Sequence, residues 1–447
     1  MPVVLVLIAL MYAAAAHGAF HAGELVVVVV LVAAALGFAF VAVPPRRDDL
    51  GPATLAAAAL AAWYVIAALA AGHPAGAGPA VGLLFAGAAT IAVVRRADLA
   101  ERDLLLTGVL AIGALVALSA WLGVAFHHGP WAIEDNGLWR GSSTITYANA
   151  TGGLIGALAL VALDRVIEAE GAARRMFSVV AAVCTLGLLA TASRGALLGF
   201  TIGLFVLVGL RRRAHPIAII PALAGAVIAF AALLSSMPSG HHAHAGVAIV
   251  GLIVGTAIAL APTRAAIAAA IVCVALGLTS GGTRHDVRTA WTPISTQRLT
   301  TGSSDRSHER RAALDLAREH PVAGVGPGNV TLHWSVFYFV PVDFSVHYAH
   351  NEYLQVLVES GGVGLAIAVV GAGWVLAATR RSARGVPGGL APAGIAAALV
   401  MLAVHSTTDF LWHIPVVPVV ACALLGVLAP ETAHSAESPH EGAGRAH

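Results

Sequence analysis

The sequence predicts an all-α protein, a bundle of about 12–14 membrane-spanning helices with one long extracytoplasmic loop that contains short helices. The composition supports this prediction, because hydrophobic residues make up 58% of the 447 residues and charged residues only 11%. A soluble domain is about 45–50% apolar and about 25% charged. A water-soluble fold cannot hide this much apolar surface, so most of the chain is expected to lie in lipid. No nucleic-acid partner is expected.

Apolar runs of membrane length divide most of the chain. A membrane-spanning helix needs roughly 17–25 residues. Fourteen runs approach this length, but several are short or rich in glycine, so twelve or thirteen spans also fit the sequence. The first run lacks a preceding basic segment, and we interpret it as a span and not as a cleaved signal peptide. The runs lie near residues 3–20, 24–43, 52–72, 79–94, 104–126, 146–163, 176–192, 196–210, 217–236, 246–261, 265–280, 353–378, 388–405 and 414–429.

The placement of arginine predicts the orientation of the spans. One set of alternating connections contains 15 arginines, whereas the short connections of the other set contain only Arg140 and Arg194. Short loops rich in arginine mark the cytoplasmic side. Both termini are therefore predicted inside, and the long hydrophilic segment at 282–350 outside. The arginine-rich connections lie at 44–49, 95–103, 164–175, 211–216, 262–264 and 379–384.

This pattern predicts four regions along the chain. Residues 1–281 form the N-terminal spans, 282–350 an extracytoplasmic loop subdomain, 351–429 the C-terminal spans, and 430–447 a disordered cytoplasmic tail. The tail is polar and poor in bulky apolar residues, which is typical of disorder. The three cysteines lie in apolar runs, so neither a disulfide framework nor a cysteine metal site is predicted.

The external loop contains a predicted helix. Ser304 or Asp305 can cap a helix that runs through RSHERRAALDLAREH and stops at His320, before Pro321. Its alanine and leucine positions share a face, which suits a helix lying at the membrane interface. Three glycines in VAGVGPGNV then make a tight turn possible, and the aromatic stretch HWSVFYFVPVDF suits the headgroup level. The part before Ser304 is predicted to be irregular.

Several motifs in this region are similar to those of one protein family. RRAALDLAREHPVAGVGPGNV, followed some twenty residues later by HNEYLQVLVESGGVGL, resembles the O-antigen ligase and polymerase superfamily. SRGALLGF at 193–200, YANATGGL at 147–154 and HSTTDFLWHIPVV at 405–417 agree with it. The resemblance covers roughly residues 140–429. It implies transfer of a polyprenyl-diphosphate-linked glycan to an acceptor hydroxyl on the outer face of the bacterial cytoplasmic membrane.

This chemistry needs positive charge for the departing diphosphate and a base for the acceptor hydroxyl. Arginine binds phosphate oxygens bidentately and keeps its charge, and histidine is largely neutral and basic near neutral pH. Arginines can supply the charge, so a metal-independent, inverting transfer without a cofactor is predicted. Arg194 and His350 are the candidate catalytic residues, since the resemblance implies diphosphate binding by the former and a base or acceptor-orienting role for the latter.

Other residues are candidates for binding the diphosphate or glycan. The family often has a tryptophan where this chain has Arg310, so any of three neighbouring arginines could be the family's loop arginine. Simpler interpretations also exist, because an arginine can lie at the membrane interface or on a solvated face, and a histidine or asparagine can cap a helix. The candidates are Arg306, Arg310, Arg311, Asn351, Arg140, Tyr147, His405 and Asp409.

The sequence leaves the acceptor open. It could be a lipid, a growing glycan or a protein, so the chain could act as a ligase, a polymerase or a protein O-oligosaccharyltransferase. A transporter or flippase for lipid-linked glycans is the rival from another class, but it predicts ionisable residues at mid-span. Charges here gather at span ends and in one loop, which favours an enzyme.

Overall fold

The computed structural model describes residues 1–42, 44, 51–213, 216–279, 304–330, 348–382 and 385–429. The first part of the predicted external loop, the aromatic stretch at 333–344 and the predicted tail lie outside the described residues. The described helices are α1 Pro2–Ala15, α2 Ala22–Ala42, α3 Pro52–Ala70, α4 Ala77–Arg96, α5 Leu99–Phe126, α6 Ala148–Glu168, α7 Gly171–Ala190, α8 Arg194–Leu210, α9 Ile220–Leu233, α10 Ala245–Leu260, α11 Thr263–Thr279, α12 Ser304–Glu319, α13 Glu352–Ser382, α14 Pro392–His405 and α15 Val416–Val427. One hairpin, β1 Ala132–Asp135 and β2 Leu138–Gly141, lies between α5 and α6.

The chain is an all-α, multi-pass membrane protein, as the composition predicts. Eight helical segments are long and apolar enough to cross a membrane, and six shorter helices are also apolar. Every helix except α12 overlaps one of the predicted apolar runs. Membrane spans are helical because lipid offers no partner for an exposed backbone N–H or C=O.

Helix α6 forms the centre of the bundle. In its membrane-length window, 94% of the residues are buried, and the helix packs against α5, α7, α8 and α14. Glycines allow these close approaches. A Cβ at Gly156 would lie 2.2 Å from Met401 Cε, and one at Gly152 would lie 2.9 Å from Ala196 Cβ.

The helix connections gather at two opposite ends of the bundle. At one of them, Arg102 near the start of α5 donates to the carbonyls of Val427 (3.2 Å) and Ala429 (2.6 Å), at the end of α15. Arg211 there donates to Asp164 (2.6 Å), which joins the ends of α8 and α6. This is the arginine-rich set that the sequence assigns to the cytoplasm.

The opposite end is held together by the other set of connections. Thr144 Oγ1 donates to the carbonyl of Ala14 (2.6 Å), and the backbone N–H of Trp139 donates to the carbonyl of Met237 (2.7 Å). These bonds join the loop between α5 and α6 to the ends of α1 and α9. The candidate residues described below lie at this end.

Helix α12 packs on the first part of α13. Its apolar face, which the sequence analysis expected at the membrane interface, is buried in a cluster with residues of the following turn and of α13. The helix ends at Glu319, just before Pro321, as predicted. The cluster comprises Ala312, Ala313, Leu316, Ala317, Val325, Val330, Ala349, Leu354 and Val358.

Glycine conformations fix the turn after α12 against α13. Gly361 interrupts α13 with φ 65° and ψ −172°, a region that only glycine adopts readily. A Cβ there would lie 2.1 Å from the carbonyl oxygen of Val322. The N–H groups of Val325 and Gly326 donate to the carbonyls of Val358 (2.9 Å) and Glu359 (3.0 Å). The backbone of the glycine-rich turn is therefore hydrogen-bonded to α13.

Candidate functional site

The β-hairpin places Arg140 among polar residues at the end of the bundle where α1 and α9 end. Asn136 and Gly137 at its tip have φ values of 52° and 75°, as a tight two-residue hairpin turn requires. Arg140 is buried, and its Nε donates to the carbonyl of Thr191 (2.9 Å). Its two Nη atoms donate to Asp135 Oδ2 (2.6 Å) and to Asn149 Oδ1 (2.8 Å). With three acceptors from its own chain, Arg140 is placed to position its neighbours.

Asp409 lies at the centre of the same arrangement. Its side chain is buried and accepts from the Tyr147 hydroxyl (2.6 Å), from Asn149 Nδ2 (2.5 Å) and from its neighbour, the Phe410 N–H (2.9 Å). A buried carboxylate is stable only where donors replace the lost water, and here three do so. We call Arg140, Tyr147, Asn149 and Asp409 the polar network.

Phe410 links the polar network to His350. Its ring stacks on Tyr147, with centroids 5.3 Å apart, and on Tyr348, with centroids 5.0 Å apart. The His350 ring lies edge-on to it at 5.4 Å. A catalytic candidate from the start of α13 and a candidate from the start of α6 therefore contact the same aromatic ring.

His350 is paired with an acidic residue that the sequence analysis did not single out. Its Nδ1 lies 2.8 Å from Glu309 Oε2, on α12. When the carboxylate accepts the proton of Nδ1, the other ring nitrogen, Nε2, is left free to act as a base. Both side chains are mostly buried, with exposures of 27% and 12%. Because 41 residues separate the pair, no local pattern could have revealed it.

Asn351 holds the start of α13 in place. Its Oδ1 accepts from the Leu354 N–H (3.0 Å), which caps the helix, and its Nδ2 donates to the carbonyl of Thr407 (3.0 Å). The helix-capping interpretation therefore agrees with its contacts. The second bond ties the His350 region to the connection between α14 and α15.

Arg194 is exposed at the first position of α8. Its guanidinium adds to the partial positive charge that a helix N-terminus presents to anions. The next residue, Gly195, packs directly on the α14–α15 connection, since a Cβ there would lie 2.3 Å from Thr408 Oγ1 and 2.7 Å from His405 Cδ2. The residues beside Arg194 and beside His350 thus contact one turn, residues 405–408. His405 is buried within it.

The candidate loop arginines all belong to α12, but they differ in what is described. Arg310 and Arg311 are exposed. Arg306 lies in the helix, three residues before Glu309, and its side chain is outside the described set. Since three residues make about one helical turn, the backbone of Arg306 is one turn from the partner of His350.

A buried acid cluster under the site was missed by the sequence analysis. Glu352 and Glu359 are 6% and 3% exposed, and His413 lies between them. Its Nδ1 is 3.1 Å from Glu352 Oε1 and its Nε2 is 3.5 Å from Glu359 Oε2. The two glutamates and Gln355 occupy one face of α13, at i, i+3 and i+7, which was a readable signal.

The acid cluster controls the charge of its neighbours. Burial alone lowers the pKa of His413, but the two carboxylates outweigh it and raise that pKa to about 10. His413 is therefore an imidazolium near neutral pH. The Tyr348 ring lies 4.5 Å from that of His413, and burial together with the carboxylates raises the pKa of Tyr348 to about 12. Tyr348 keeps its proton.

Residues 179–369 match the family described as O-Antigen ligase. No curated protein gives a significant match to the chain. The matched region contains Arg194, α12 and the His350–Glu309 pair. The polar network and the connection between α14 and α15 lie outside it.

Proposed function

We propose that this chain, whose residues 179–369 match the O-Antigen ligase family, transfers a glycan from a polyprenyl-diphosphate donor to an acceptor hydroxyl on the outer face of the bacterial cytoplasmic membrane. One observation carries the proposal. Arg194 and His350 lie far apart in the chain, but their neighbours Gly195 and Asn351 contact the same turn, residues 405–408. A guanidinium, which suits phosphate binding, and an imidazole, which suits proton transfer, are thus held at one end of the bundle.

Arg194 is assigned to the donor diphosphate. It is exposed at the N-terminus of α8, where its guanidinium can approach a phosphate at the membrane surface. Its planar guanidinium and the first N–H groups of α8 both favour anions. The arginines of α12 at positions 306, 310 and 311 are assigned to the same diphosphate. Together they supply positive charge, and the proposed transfer therefore needs no metal ion.

His350 is assigned to the acceptor hydroxyl. Glu309 holds Nδ1, and Nε2 takes the hydroxyl proton as the acceptor oxygen bonds to the anomeric carbon. The bond from that carbon to the diphosphate oxygen breaks with its electron pair, and the polyprenyl diphosphate leaves with its charge held by arginine. A single displacement inverts the anomeric configuration.

The polar network is assigned a positioning role. Asp409, Asn149 and Arg140 are bonded to one another or to the backbone, so they have few groups left for a substrate. They fix Phe410, whose ring contacts His350. Tyr147 connects the network to the ring of Phe410, on which it stacks.

In vitro transfer tests this proposal. The full chain in lipid nanodiscs would be given a polyprenyl-diphosphate oligosaccharide and, in separate reactions, a lipid, a glycan and a peptide acceptor. Arg194→Ala and His350→Ala should each slow transfer by about 10²-fold or more. Arg318→Ala, which removes an exposed arginine of α12, and His242→Ala, which removes an exposed histidine, are the matched controls.

Three outcomes would contradict the proposal in different ways. Full activity of Arg194→Ala or His350→Ala would refute the residue assignments. Loss of activity with a chelator would refute metal independence. Movement of the donor across the membrane, with no glycosidic bond formed to any acceptor, would favour the flippase. The acceptor that yields product decides between lipid ligation, chain polymerisation and protein glycosylation.

A further inference from the structure

Three residues with metal-binding side chains meet at the turn between α1 and α2. They are His17, His21 and Glu24, and one ligand atom from each lies within 4.8 Å of the other two. Within the described part of the chain, no other three histidine, cysteine or acidic residues bring one ligand atom each this close together. In the acid cluster, Glu352 and Glu359 contact different nitrogens of His413. The turn belongs to the same end of the bundle as the candidate site.

The backbone of the turn brings the three side chains together. His17, Gly18 and Ala19 all have positive φ, at 46°, 71° and 61°, so the chain reverses within three residues. Gly18 is packed tightly, because a Cβ there would lie 2.6 Å from Ile414 Cγ2. The turn is therefore held by packing against the core and does not depend on the exposed side chains.

Glu24 is oriented toward both histidines. Its Oε1 lies 2.9 Å from His17 Nδ1, and its Oε2 accepts from the backbone N–H of His21 at 3.2 Å. The two imidazole rings have centroids 5.5 Å apart and meet edge to face. Both histidines are exposed, so an ion could reach them from water. A carboxylate held by a backbone N–H is typical of an oriented metal ligand.

We propose that His17, His21 and Glu24 bind one divalent transition-metal ion, with zinc as the fitting case. Two imidazole nitrogens and one carboxylate oxygen are ligands that zinc accepts in tetrahedral sites. Magnesium and calcium prefer an all-oxygen environment, which this turn does not offer. Three protein ligands leave a fourth position for water or for an anionic oxygen.

The site lies beside the proposed transfer site but is not part of it. Phe20, between the two histidines, meets the Tyr348 ring edge-on at 6.2 Å. Tyr348 stacks on Phe410 and precedes His350 by two residues. A bound ion would contact this turn and neither the donor nor the acceptor, so its removal by a chelator should leave transfer activity unchanged. Binding itself does not depend on the proposed transfer activity.

The test is zinc binding to the full chain, purified without a polyhistidine tag and stripped with a chelator. Isothermal titration with zinc alone should give one site per chain. His17→Ala and Glu24→Gln should each weaken that site by more than about ten-fold, since even outer-shell substitutions cost roughly 10–100-fold. Magnesium should not compete. X-ray absorption should place nitrogen and oxygen ligands at about 2.0–2.2 Å from the zinc.

His242→Ala is the matched control, because it removes an exposed histidine from the connection between α9 and α10. It should leave zinc affinity unchanged. Equal zinc affinity in wild type, His17→Ala and Glu24→Gln would overturn the proposal, as would loss of the site in His242→Ala alone. Since no donor or acceptor is present, these outcomes are independent of the transfer assay.

Discussion

Replacing Asp409 with asparagine should break the polar network while hardly changing its volume. The carboxylate accepts from Tyr147, Asn149 and the Phe410 N–H and donates to none of them. Asparagine loses the charge and turns one acceptor oxygen into an NH₂ group. In either orientation that group would face a group that can only donate, either Asn149 Nδ2 or the Phe410 backbone N–H.

The network cannot easily rearrange to accept this donor. Asn149 could turn its oxygen toward position 409 only by giving up the bond that this oxygen accepts from Arg140 Nη2 at 2.8 Å. A hydrogen bond to a charged group contributes about 1.5–3 kcal/mol, and a buried donor without an acceptor costs about 1–3 kcal/mol. We therefore expect Asp409→Asn to lower the free energy of unfolding by about 3–5 kcal/mol.

Two milder variants provide reference values for this loss of stability. Tyr147→Phe removes one hydroxyl and leaves Asn149 bonded to Asp409, so it should cost about 1.5–3 kcal/mol. Asp135→Asn removes the partly exposed partner of Arg140, 33% exposed, and should cost about 1 kcal/mol or less. Unfolding in detergent, followed by circular dichroism, measures all three under the same conditions.

The order of the three variants is the test. Asp409→Asn should be the least stable, then Tyr147→Phe, then Asp135→Asn. If Asp409→Asn unfolds together with Asp135→Asn, the carboxylate is not the centre of the network. In the transfer assay, Asp409→Asn should also lose activity, because Phe410 would no longer hold its place beside His350.

Three further predictions follow from single contacts. His413→Gln should destabilise the protein by a few kcal/mol. Since the pKa of His413 in the folded protein, about 10, exceeds the ordinary value of 6.5, this loss of stability should be complete below about pH 6.5 and vanish as pH rises through about 10. A loss of melting temperature that does not change with pH would contradict this prediction. Gly361→Ala should cost about 1–3 kcal/mol or more, whereas Gly373→Ala, with open space around its Cβ, should be nearly neutral, and equal melting temperatures would refute the strain. Gly195→Ala should slow transfer by displacing the start of α8 from Thr408, measured as reduced kcat with the protein still folded.

Hydropathy predicted most of the helices but could not find all of their ends. The run predicted at 104–126 corresponds to α5, which begins at Leu99 because Asp98 accepts from the Glu101 N–H (2.8 Å) and caps it. Hydrophobicity reports the part of a helix that faces lipid or core, whereas a polar first turn carries no such signal. The hairpin was missed although Asn136-Gly137 is a strong sign of one.

The candidate site was only partly readable from the chain. The types of residue needed for phosphate binding and proton transfer, at positions such as Arg194 and His350, were accessible through motif and chemistry. The Glu309 partner was not, because its contact depends on how α12 packs on α13. The buried pair Glu352 and Glu359 was visible as a polar stripe on an apolar helix, and only the packing explains it.

The interruption of α13 at Gly361 also bears on how the chain enters the membrane. Inserting a charged residue at the centre of a span costs about 2.5–3.5 kcal/mol, and both Glu352 and Glu359 precede the break. From Gly362 to Arg380 the helix runs about 28 Å at 1.5 Å per residue, close to the ~30 Å hydrocarbon core. The insertion machinery therefore needs to commit only this later part to lipid. The acidic half can stay outside the lipid and pack against α12, so its two carboxylates need not be inserted into the hydrocarbon core.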